Sequence, residues 1–421
     1  TIMRHELAIH TSTPATNPSS SGRLQRQQRA RVGNLGGKSL KMDRSSAGSH
    51  CVSLYLLLLL SSLARAEDGL LLNGDFEAAE LPEAAGAVEG WASKGTVEAV
   101  ESGQRQGAMM IVVPHGRRAV KLSNEAEISQ LVKVEKGSVY SLTFNAARTC
   151  AQAESINVSV PPASQIVDLQ TVYSVQGWDA YATAFSAEED AVAVTLQNPG
   201  MEDDPECGPV IDDVSIKKLF TPGLSKGNAV KNGNFEEGPW LFKKDSLGVL
   251  LPTNFDETHS PLPGWNIESN RPVRFIDSDH YAVPEGKRAV ELVSGKEGII
   301  SQMVPTVPDK AYTLSFLVGH AGDHCSPPLA VRAFAGDQAD TVHFAGDANA
   351  PHHGAALNFT AKAEQTRIAF LSVYYRLRSD DAASLCGPVI DDVRVIASAS
   401  AMRGPGWLRF GLLGLVLVSV A

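Results

Sequence analysis

Residues 207–214 read Cys-Gly-Pro-Val-Ile-Asp-Asp-Val, and residues 386–393 read the same eight residues again. Further landmarks precede both copies in the same order. Residues 72–77 (Leu-Asn-Gly-Asp-Phe-Glu) return as residues 231–236 (Lys-Asn-Gly-Asn-Phe-Glu), an interval of 159 residues. Solenoid repeats have periods of only about 20–50 residues. Each copy is therefore a whole domain, and the chain is an internal duplication.

The apolar residues inside each copy alternate with polar ones. Residues 139–144 (Val-Tyr-Ser-Leu-Thr-Phe) and residues 191–196 (Ala-Val-Ala-Val-Thr-Leu) both show a period of two, which is typical of half-buried strands. Gly, Pro, Asn and Asp interrupt these segments, and no long helical stripe appears. This pattern predicts an all-β protein made of two tandem jelly-roll β-sandwiches.

The domain boundaries follow from the repeat. We expect a first sandwich at residues 67–220, a linker at 221–228 and a second sandwich at 229–397. The linker is short and contains Pro222, Gly223 and Gly227, so the two sandwiches should lie close together. A groove between them is a natural place for a ligand.

Four of the five cysteines belong to the repeated region. They could pair in three ways, but the duplication selects Cys150 with Cys207 and Cys325 with Cys386 because this choice gives each copy one internal bond. Cysteines in such an even set are typical of chains that mature in an oxidising compartment.

The amino-terminal residues resemble targeting sequence. An apolar run at residues 54–60 ends in Ala64-Arg65-Ala66, the small-x-small pattern cut by signal peptidase. Met42 lies a suitable distance ahead of this run. We therefore expect a signal peptide at 42–66, and a non-native or disordered leader at 1–41 because that stretch lacks apolar periodicity.

The carboxyl-terminal residues 398–421 resemble a lipid-anchor signal. Small residues at Ser398, Ala399 and Ser400 are followed by a spacer and by an apolar tail of 12 residues, 410–421. A spanning helix needs about 20 apolar residues, whereas a removed GPI-anchor signal has this layout. The alternative is an unprocessed apolar tail.

The charge of the folded region narrows the choice of partners. The whole chain has a net charge of −10, and removing residues 1–66 (+7) and 401–421 (+2) leaves −19. Such a surface repels nucleic acid and anionic lipid headgroups, and it attracts basic proteins. Nucleic-acid binding is excluded on this ground, and membrane contact is expected only through the lipid anchor.

The landmarks together resemble the plant cell-wall family known as domain of unknown function 642. The resemblance rests on Asn-Gly-Asp-Phe-Glu, on Gly-Trp, on residues 284–292 (Pro-Glu-Gly-Lys-Arg-Ala-Val-Glu-Leu) and on the doubled octapeptide, and it spans residues 68–396. It implies galactose-binding-like sandwiches, an apoplastic location, affinity for wall polysaccharide such as pectin or cellulose, and association with pectin methylesterase. The chain departs from the family at Thr183, where an aromatic residue is usual.

Sugar recognition needs aromatic faces and polar side chains. Trp91 and Trp265 follow Gly at equivalent positions and are expected to be core residues. Trp178 and Tyr181 are three positions apart and should point to opposite faces of a strand, so that one of them is buried. The aromatic residues that could contact a ligand are Trp178, Tyr181, Trp240, Tyr374 and Tyr375.

Two sets of carboxylates recur with the repeat. Oxygen ligands of this kind suit a structural calcium ion, and in the alternative reading they cap backbone N–H groups. The sets are Glu77, Asp212 and Asp213 in the first copy and Glu236, Asp391 and Asp392 in the second. Asn157-Val158-Ser159 and Asn358-Phe359-Thr360 are acceptor sequences for N-glycosylation.

These observations favour an extracellular binding protein without catalytic activity. A glycosidase needs two carboxyl groups facing each other across a cleft, whereas the adjacent Asp212 and Asp213 point to opposite faces of a strand. The expected ligand is a wall polysaccharide, a pectin methylesterase, or both. The alternative is a protein-interaction module without affinity for sugar.

Overall fold

The computed structural model of the 421-residue chain describes residues 70–78, 88–106, 109–200, 204, 207–242, 247–268, 270–345 and 352–398. The leader, the signal peptide and the anchor signal beyond residue 398 lie outside these ranges, as do Ala399 and Ser400. Ser398 lies inside them, and its backbone N–H donates to the carbonyl oxygen of Ala311 at 2.9 Å. Within these ranges no helix is long and apolar enough to cross a bilayer.

The structure confirms the predicted all-β class. The strands of the first module are β1 (Ala92–Lys94), β2 (Val97–Glu101), β3 (Arg105–Gln106), β4 (Met109–Met110), β5 (Arg118–Leu122), β6 (Glu127–Lys133), β7 (Val139–Ala147), β8 (Glu154–Val160), β9 (Ala163–Leu169), β10 (Trp178–Ser186), β11 (Ala191–Gln197) and β12 (Val210–Leu219).

The second module repeats this organisation and adds two short 3-10 helices, at Glu257–His259 and Gly295–Glu297. Its strands are β13 (Val249–Leu251), β14 (Asn266–Ile267), β15 (Val273–Asp277), β16 (Arg288–Glu291), β17 (Ile299–Pro305), β18 (Ala311–His320), β19 (Leu329–Ala335), β20 (Gln338–Phe344), β21 (His352–Thr360), β22 (Gln365–Ser372), β23 (Arg376–Leu377), β24 (Leu385–Cys386) and β25 (Pro388–Ala397).

Each module is a sandwich of two antiparallel sheets. In the first module a five-stranded sheet, β1-β6-β11-β8-β9, packs on strands β2-β5-β12-β7-β10. In the second module β14-β17-β22-β19-β20 packs on β13-β15-β16-β25-β18-β21. The alternation seen in the sequence corresponds to alternating burial in the structure. Strand β11, for example, buries Val192, Val194 and Leu196 and turns the residues between them outward.

The two modules are joined through one continuous sheet. Strand β10 of the first module pairs in parallel with β13 of the second, with Ala180 opposite Val249 and Tyr181 opposite Leu250. An eleven-stranded sheet therefore runs through both modules. The short linker agrees with this arrangement, but the parallel pairing itself was not predicted.

The repeated motifs meet at one place in each module. The final strand carries a register shift beside the Asp-Asp pair, and the backbone N–H of the following Val393 donates to the carbonyl oxygen of Gly233 at 2.8 Å. Val214 and Gly74 make the same bond in the first module. A methyl group on Gly233 would lie 2.1 Å from the carbonyl oxygen of Val393, so the close approach requires glycine.

The duplicated tryptophans are core residues, as predicted. Trp91 is 7% exposed and Trp265 is fully buried. Each ring nitrogen donates at 3.1 Å to the carbonyl oxygen of the Asn in the Asn-Gly motif, Asn73 or Asn232. The Asn-Gly motif at the start of each module is therefore tied to the core through this tryptophan side chain.

Both predicted disulfides are confirmed. Cys150 is bonded to Cys207, and Cys325 is bonded to Cys386. They close loops of 57 and 61 residues, and loop entropy of this size stabilises a fold by roughly 4 kcal/mol.

Candidate binding groove between the two modules

A loop of the second module builds one wall of a groove against the first module. The loop follows β13, and a two-way backbone bridge between Asn254 and Ile267 fixes its start, with N–H···O distances of 2.8 and 2.9 Å. The Asp256 carboxylate then accepts from the backbone N–H of Thr258 at 2.9 Å and so caps the 3-10 helix. These contacts hold Phe255 between two ordered segments.

The groove consists of two connected cavities of about 600 Å³ and about 320 Å³. Ligand pockets commonly have volumes of about 300–1,000 Å³. Both cavities share Gln165, Thr253 and Phe255 as lining residues. The Gln165 side-chain amide donates to the carbonyl oxygen of Thr253 at 2.9 Å, which links strand β9 to the opposite wall.

Phe255 is the most exposed aromatic ring of the groove. It is 73% exposed although it borders both cavities, so its face is open to a ligand. Sequence reasoning missed this residue. One signal was present, because the segment between the Phe-Glu and Gly-Trp landmarks is 15 residues longer in the second copy, and Phe255 lies in the added length.

The groove is acidic. Its described lining includes Glu188, Asp256 and Asp168 but no Lys or Arg. Hydrogen bonds from Thr258 and His259 lower the pKa of Asp256 to about 2. This carboxylate therefore stays ionised under mildly acidic and neutral conditions, and it adds to the repulsion of anionic ligands.

Two of the predicted ligand contacts, Trp178 and Tyr181, lie in the interior of the structure. Both rings are buried, with exposed fractions of 5% and 2%. They do point to opposite faces of β10, as expected, but both faces are covered. Tyr181 packs in the core of the first module, whereas Trp178 lies in a smaller cluster with Val100 and Val210. Tyr181 is nevertheless one of the lining residues of the smaller cavity, whereas Trp178 lines neither cavity.

The other three predicted aromatic residues are more accessible and lie outside the lining of the groove. Trp240 and Tyr374 are half-buried, and Tyr375 is 48% exposed. The guanidinium group of Arg376 already covers the ring of Tyr374 at 5.0 Å from its centre. Thr183 does line the larger cavity, but its side chain is buried.

The carboxylates of the first calcium set are already bonded to N–H donors. Glu77 accepts from the backbone N–H groups of Arg117 and Arg118. Asp213 bonds to the imidazole of His115 and accepts from the Asn145 side-chain amide at 2.8 Å. Asp212 accepts from the N–H of Asp213 at 2.8 Å through Oδ1, whereas its Oδ2 is buried without a hydrogen bond.

The second calcium set is similarly engaged. Glu236 accepts from the backbone N–H groups of Lys287 and Arg288 at 2.6 and 3.3 Å. Asp391 accepts from the N–H groups of Asp392 and Glu285 at 2.7 and 2.9 Å, and Asp392 accepts from the side chain of Arg394.

The calcium site stays a prediction, and in this arrangement most of the six carboxylates already accept hydrogen bonds from N–H groups. Within the described ranges, three metal-ligating atoms come within 4.8 Å of one another only at Cys150, Glu154 and Cys207. That group is no metal site because its cysteines form a disulfide. The capping role, which was the alternative from sequence, matches most of these contacts.

Burial changes the acidity of the two innermost carboxyl groups. It raises the pKa of Asp391 to about 7, with the charges of Asp392 and Glu236 acting in the same direction. It also raises the pKa of Asp212 well above its ordinary value, with the neighbouring Asp213 adding to the effect. Both groups are therefore protonated more readily in the folded state than in the unfolded chain.

We expect the protein to be more stable at pH 4.5 than at pH 7.5. Between the ordinary pKa of Asp391, 3.8, and its folded value of about 7, the folded state keeps a proton that the unfolded chain releases. The free energy of unfolding falls as pH rises through this range, by up to about 4 kcal/mol for one such group. Urea unfolding at the two pH values measures the difference.

The variant Asp391→Asn provides the control, because it removes one of the groups that titrate in this range, and burial also raises the pKa of Glu291 to about 8. The variant's free energy of unfolding should depend less steeply on pH than that of the unaltered protein. Asp256 and Asp381, whose pKa values are lowered to about 2, titrate below this window. Stability that is flat or rising from pH 4.5 to 7.5 would contradict the expectation.

The two glycosylation acceptors occupy different surroundings. Asn157 is half-buried in the inner strand β8, and its side-chain amide donates to Gln197 at 3.3 Å. Asn358 is exposed on β21, where its side-chain oxygen accepts from the hydroxyl of Thr313 at 2.7 Å.

Comparison with known proteins places the duplicated modules in a family. The sequence profile described as "Protein of unknown function (DUF642)" matches residues 69–217 and 228–396. The chain belongs to the DUF642 family. The two matched spans correspond to the two sandwiches of this DUF642 chain.

Two curated DUF642 relatives come from Arabidopsis thaliana. Protein DUF642 L-GALACTONO-1,4-LACTONE-RESPONSIVE GENE 2 is 47% identical over 363 residues, and L-GALACTONO-1,4-LACTONE-RESPONSIVE GENE 1 is 48% identical over the same length. Each match covers 83% of this chain and 98% of the relative.

One solved structure that the chain matches is the N-terminal CBM22-1-CBM22-2 tandem domain from Paenibacillus barcinonensis Xyn10C. The match covers 74% of this DUF642 chain and 95% of that one, at 13% identity and with a TM-score of 0.24. A score this low supports no inference about ligand or mechanism.

Proposed function

We propose that this DUF642 protein is an extracellular, non-catalytic binding protein whose inter-module groove holds a neutral or methyl-esterified polysaccharide of the plant cell wall. The observation that carries the proposal is Phe255, an open aromatic face set between two connected cavities. Sugar rings present C–H patches to aromatic faces and hydroxyl groups to polar atoms. Gln165 and Asn254 supply polar groups beside the ring.

The charge of the groove supports the choice of polysaccharide. Glu188, Asp256 and Asp168 repel a polyanion such as free polygalacturonate, and the described lining has no Lys or Arg to offset them, although His259 pairs with Asp256. Methyl-esterified pectin and neutral glycans carry no such charge. We therefore expect esterified pectin and neutral glycans to bind more tightly than de-esterified pectin.

The cellular placement is part of the same proposal. Secretion through the signal at 42–66 is supported by the two disulfides, since such bonds form in oxidising compartments. Residence in the cell wall, and anchoring to the outer face of the plasma membrane at Ser398, Ala399 or Ser400, follow from the family resemblance and from the tail composition.

We expect Phe255→Ala to weaken polysaccharide binding by roughly 5- to 30-fold, because a central aromatic contact contributes about 1–2 kcal/mol. Isothermal titration calorimetry of the full chain against methyl-esterified pectin, polygalacturonate and neutral wall oligosaccharides measures the change. Phe220→Ala is the matched control, since Phe220 is 62% exposed but does not line the groove.

If Phe255→Ala and Phe220→Ala both bound polysaccharide as tightly as the unaltered protein, the assignment of the groove as the binding site would be overturned. Absence of binding to every polysaccharide would remove the glycan-binding function itself. Tighter binding of polygalacturonate than of esterified pectin would contradict the electrostatic argument.

A second candidate is binding of a basic wall enzyme of the pectin methylesterase class. It is supported by the net charge of −19 between residues 67 and 400, which would accelerate association with a cationic protein. Binding to a purified basic methylesterase should weaken steeply as salt increases. Affinity that does not change between low and high salt would contradict an electrostatic partner.

A further inference from the structure

Strand β21 is an unusual outer strand. It is nine residues long and is the last strand of the eleven-stranded sheet. Its sequence, His-His-Gly-Ala-Ala-Leu-Asn-Phe-Thr, contains no Lys, Arg, Asp, Glu or Pro. Outer strands have unpaired backbone N–H and C=O groups, and a long uncharged one can pair with another chain.

The other long outer strands of the described sheets are protected by charge. Strand β2 carries Glu98 and Glu101, β9 carries Asp168, and β20 carries Asp340. The remaining outer strands of the three large sheets, β1 and β14, have only three and two residues, and the strands of the two-stranded sheets have two residues each. Short length and charged side chains are common ways to prevent pairing between edges. Strand β21 has neither.

The acceptor sequence Asn358-Phe359-Thr360 lies in this unprotected strand. Asn358 is exposed and faces away from the core, because the neighbouring Phe359 is buried. The hydroxyl of Thr313, directly opposite on β18, donates to the side-chain oxygen of Asn358 at 2.7 Å. This bond uses the oxygen and leaves the amide nitrogen as the atom to be modified.

We propose that Asn358 carries an N-linked oligosaccharide that shields the β21 edge and prevents two copies of the chain from pairing through it. The bulky, hydrated glycan replaces the charge that protects the other outer strands. The inference rests on the extracellular route of the proposed function, but it does not depend on what the groove binds.

The modification is an ordinary group transfer. The amide nitrogen of Asn358 loses a proton and forms a bond to the anomeric carbon of an oligosaccharide carried on a polyprenyl diphosphate. The bond from that carbon to the diphosphate oxygen breaks, and the polyprenyl diphosphate leaves with the electron pair. No oxidant or reductant is needed.

The test compares the full chain secreted from plant cells with three variants of the acceptor sequence and one control variant. Peptide mass spectrometry before and after enzymatic deglycosylation reports occupancy at Asn358, and light scattering after size-exclusion chromatography reports molar mass over a range of concentrations. Asn358→Gln and Thr360→Ala both abolish the acceptor sequence. Asn358→Lys abolishes it too, but supplies a charged edge residue.

We expect the unaltered protein to be glycosylated at Asn358 and monomeric. Asn358→Gln and Thr360→Ala should shift toward dimers or larger species as concentration rises, whereas Asn358→Lys should stay monomeric without the glycan. Asn157→Gln is the control and should not change the oligomeric state, because Asn157 lies in the inner strand β8.

An unmodified Asn358 in the secreted protein would overturn the proposal, as would monomeric behaviour of both glycan-free variants at all concentrations. Polysaccharide binding is measured on the same samples. A protein that binds polysaccharide but has an unmodified Asn358 would refute only the proposed glycosylation. A protein that is glycosylated at Asn358 but binds no polysaccharide would refute only the proposed function of the groove.

Discussion

Arg274→Met is expected to lower the free energy of unfolding by about 3–5 kcal/mol, the usual cost of leaving one partner of a buried ion pair alone. Arg274 is 2% exposed, and it donates to the fully buried Glu291 at 2.9 Å. It also donates at 3.2 Å to the carbonyl oxygen of Tyr173 in the first module. Loss of the Arg274 side chain therefore weakens both the second module and its contact with the first module. Urea unfolding at constant pH measures the effect.

Two variants test this explanation. Arg332→Met, at an exposed arginine of the same module, should change the free energy of unfolding by less than about 0.5 kcal/mol. Arg274→Met combined with Glu291→Leu should recover most of the loss, because replacing both ions by apolar groups is often nearly neutral. Equal effects of the two single arginine variants would refute a special role for Arg274.

Gly387→Ala should destabilise the protein by about 3 kcal/mol or more, since overpacking of a rigid interior costs about 1–3 kcal/mol and more where nothing can yield. The added methyl group would lie 2.0 Å from the carbonyl oxygen of Leu292. That atom belongs to backbone paired with the final strand, since the N–H of Leu292 donates to Pro388. Thermal unfolding is the measurement.

The duplication supplies an internal replicate for this prediction. Gly208→Ala places the methyl group 2.1 Å from the carbonyl oxygen of Leu122 in the first module, so it should have an effect of similar size. Gly354→Ala is the control, because nothing lies within 4 Å of the added group. A melting temperature of Gly387→Ala that equals that of Gly354→Ala would contradict the steric argument.

Several features of the site could be predicted only in part from sequence. Alternation along β10 correctly predicts that Trp178 and Tyr181 face opposite ways, but it cannot show that a second module covers the outer face. The alanines Ala180 and Ala182 of that strand pack into the core of the second module. A pattern of period two reports which residues share a face, and it does not report what lies against that face.

The sequence by itself determined the two all-β modules, the pairing of the four cysteines and the core positions of Trp91 and Trp265. These features follow from alternation and from exact repetition, which are properties of each module alone. Only the tertiary structure decided the parallel pairing of β10 with β13, the groove and the exposure of Phe255. Those features depend on contacts between residues far apart in the chain, which a local sequence pattern does not specify. Repetition does not specify them either, because each module contacts the other through a different surface.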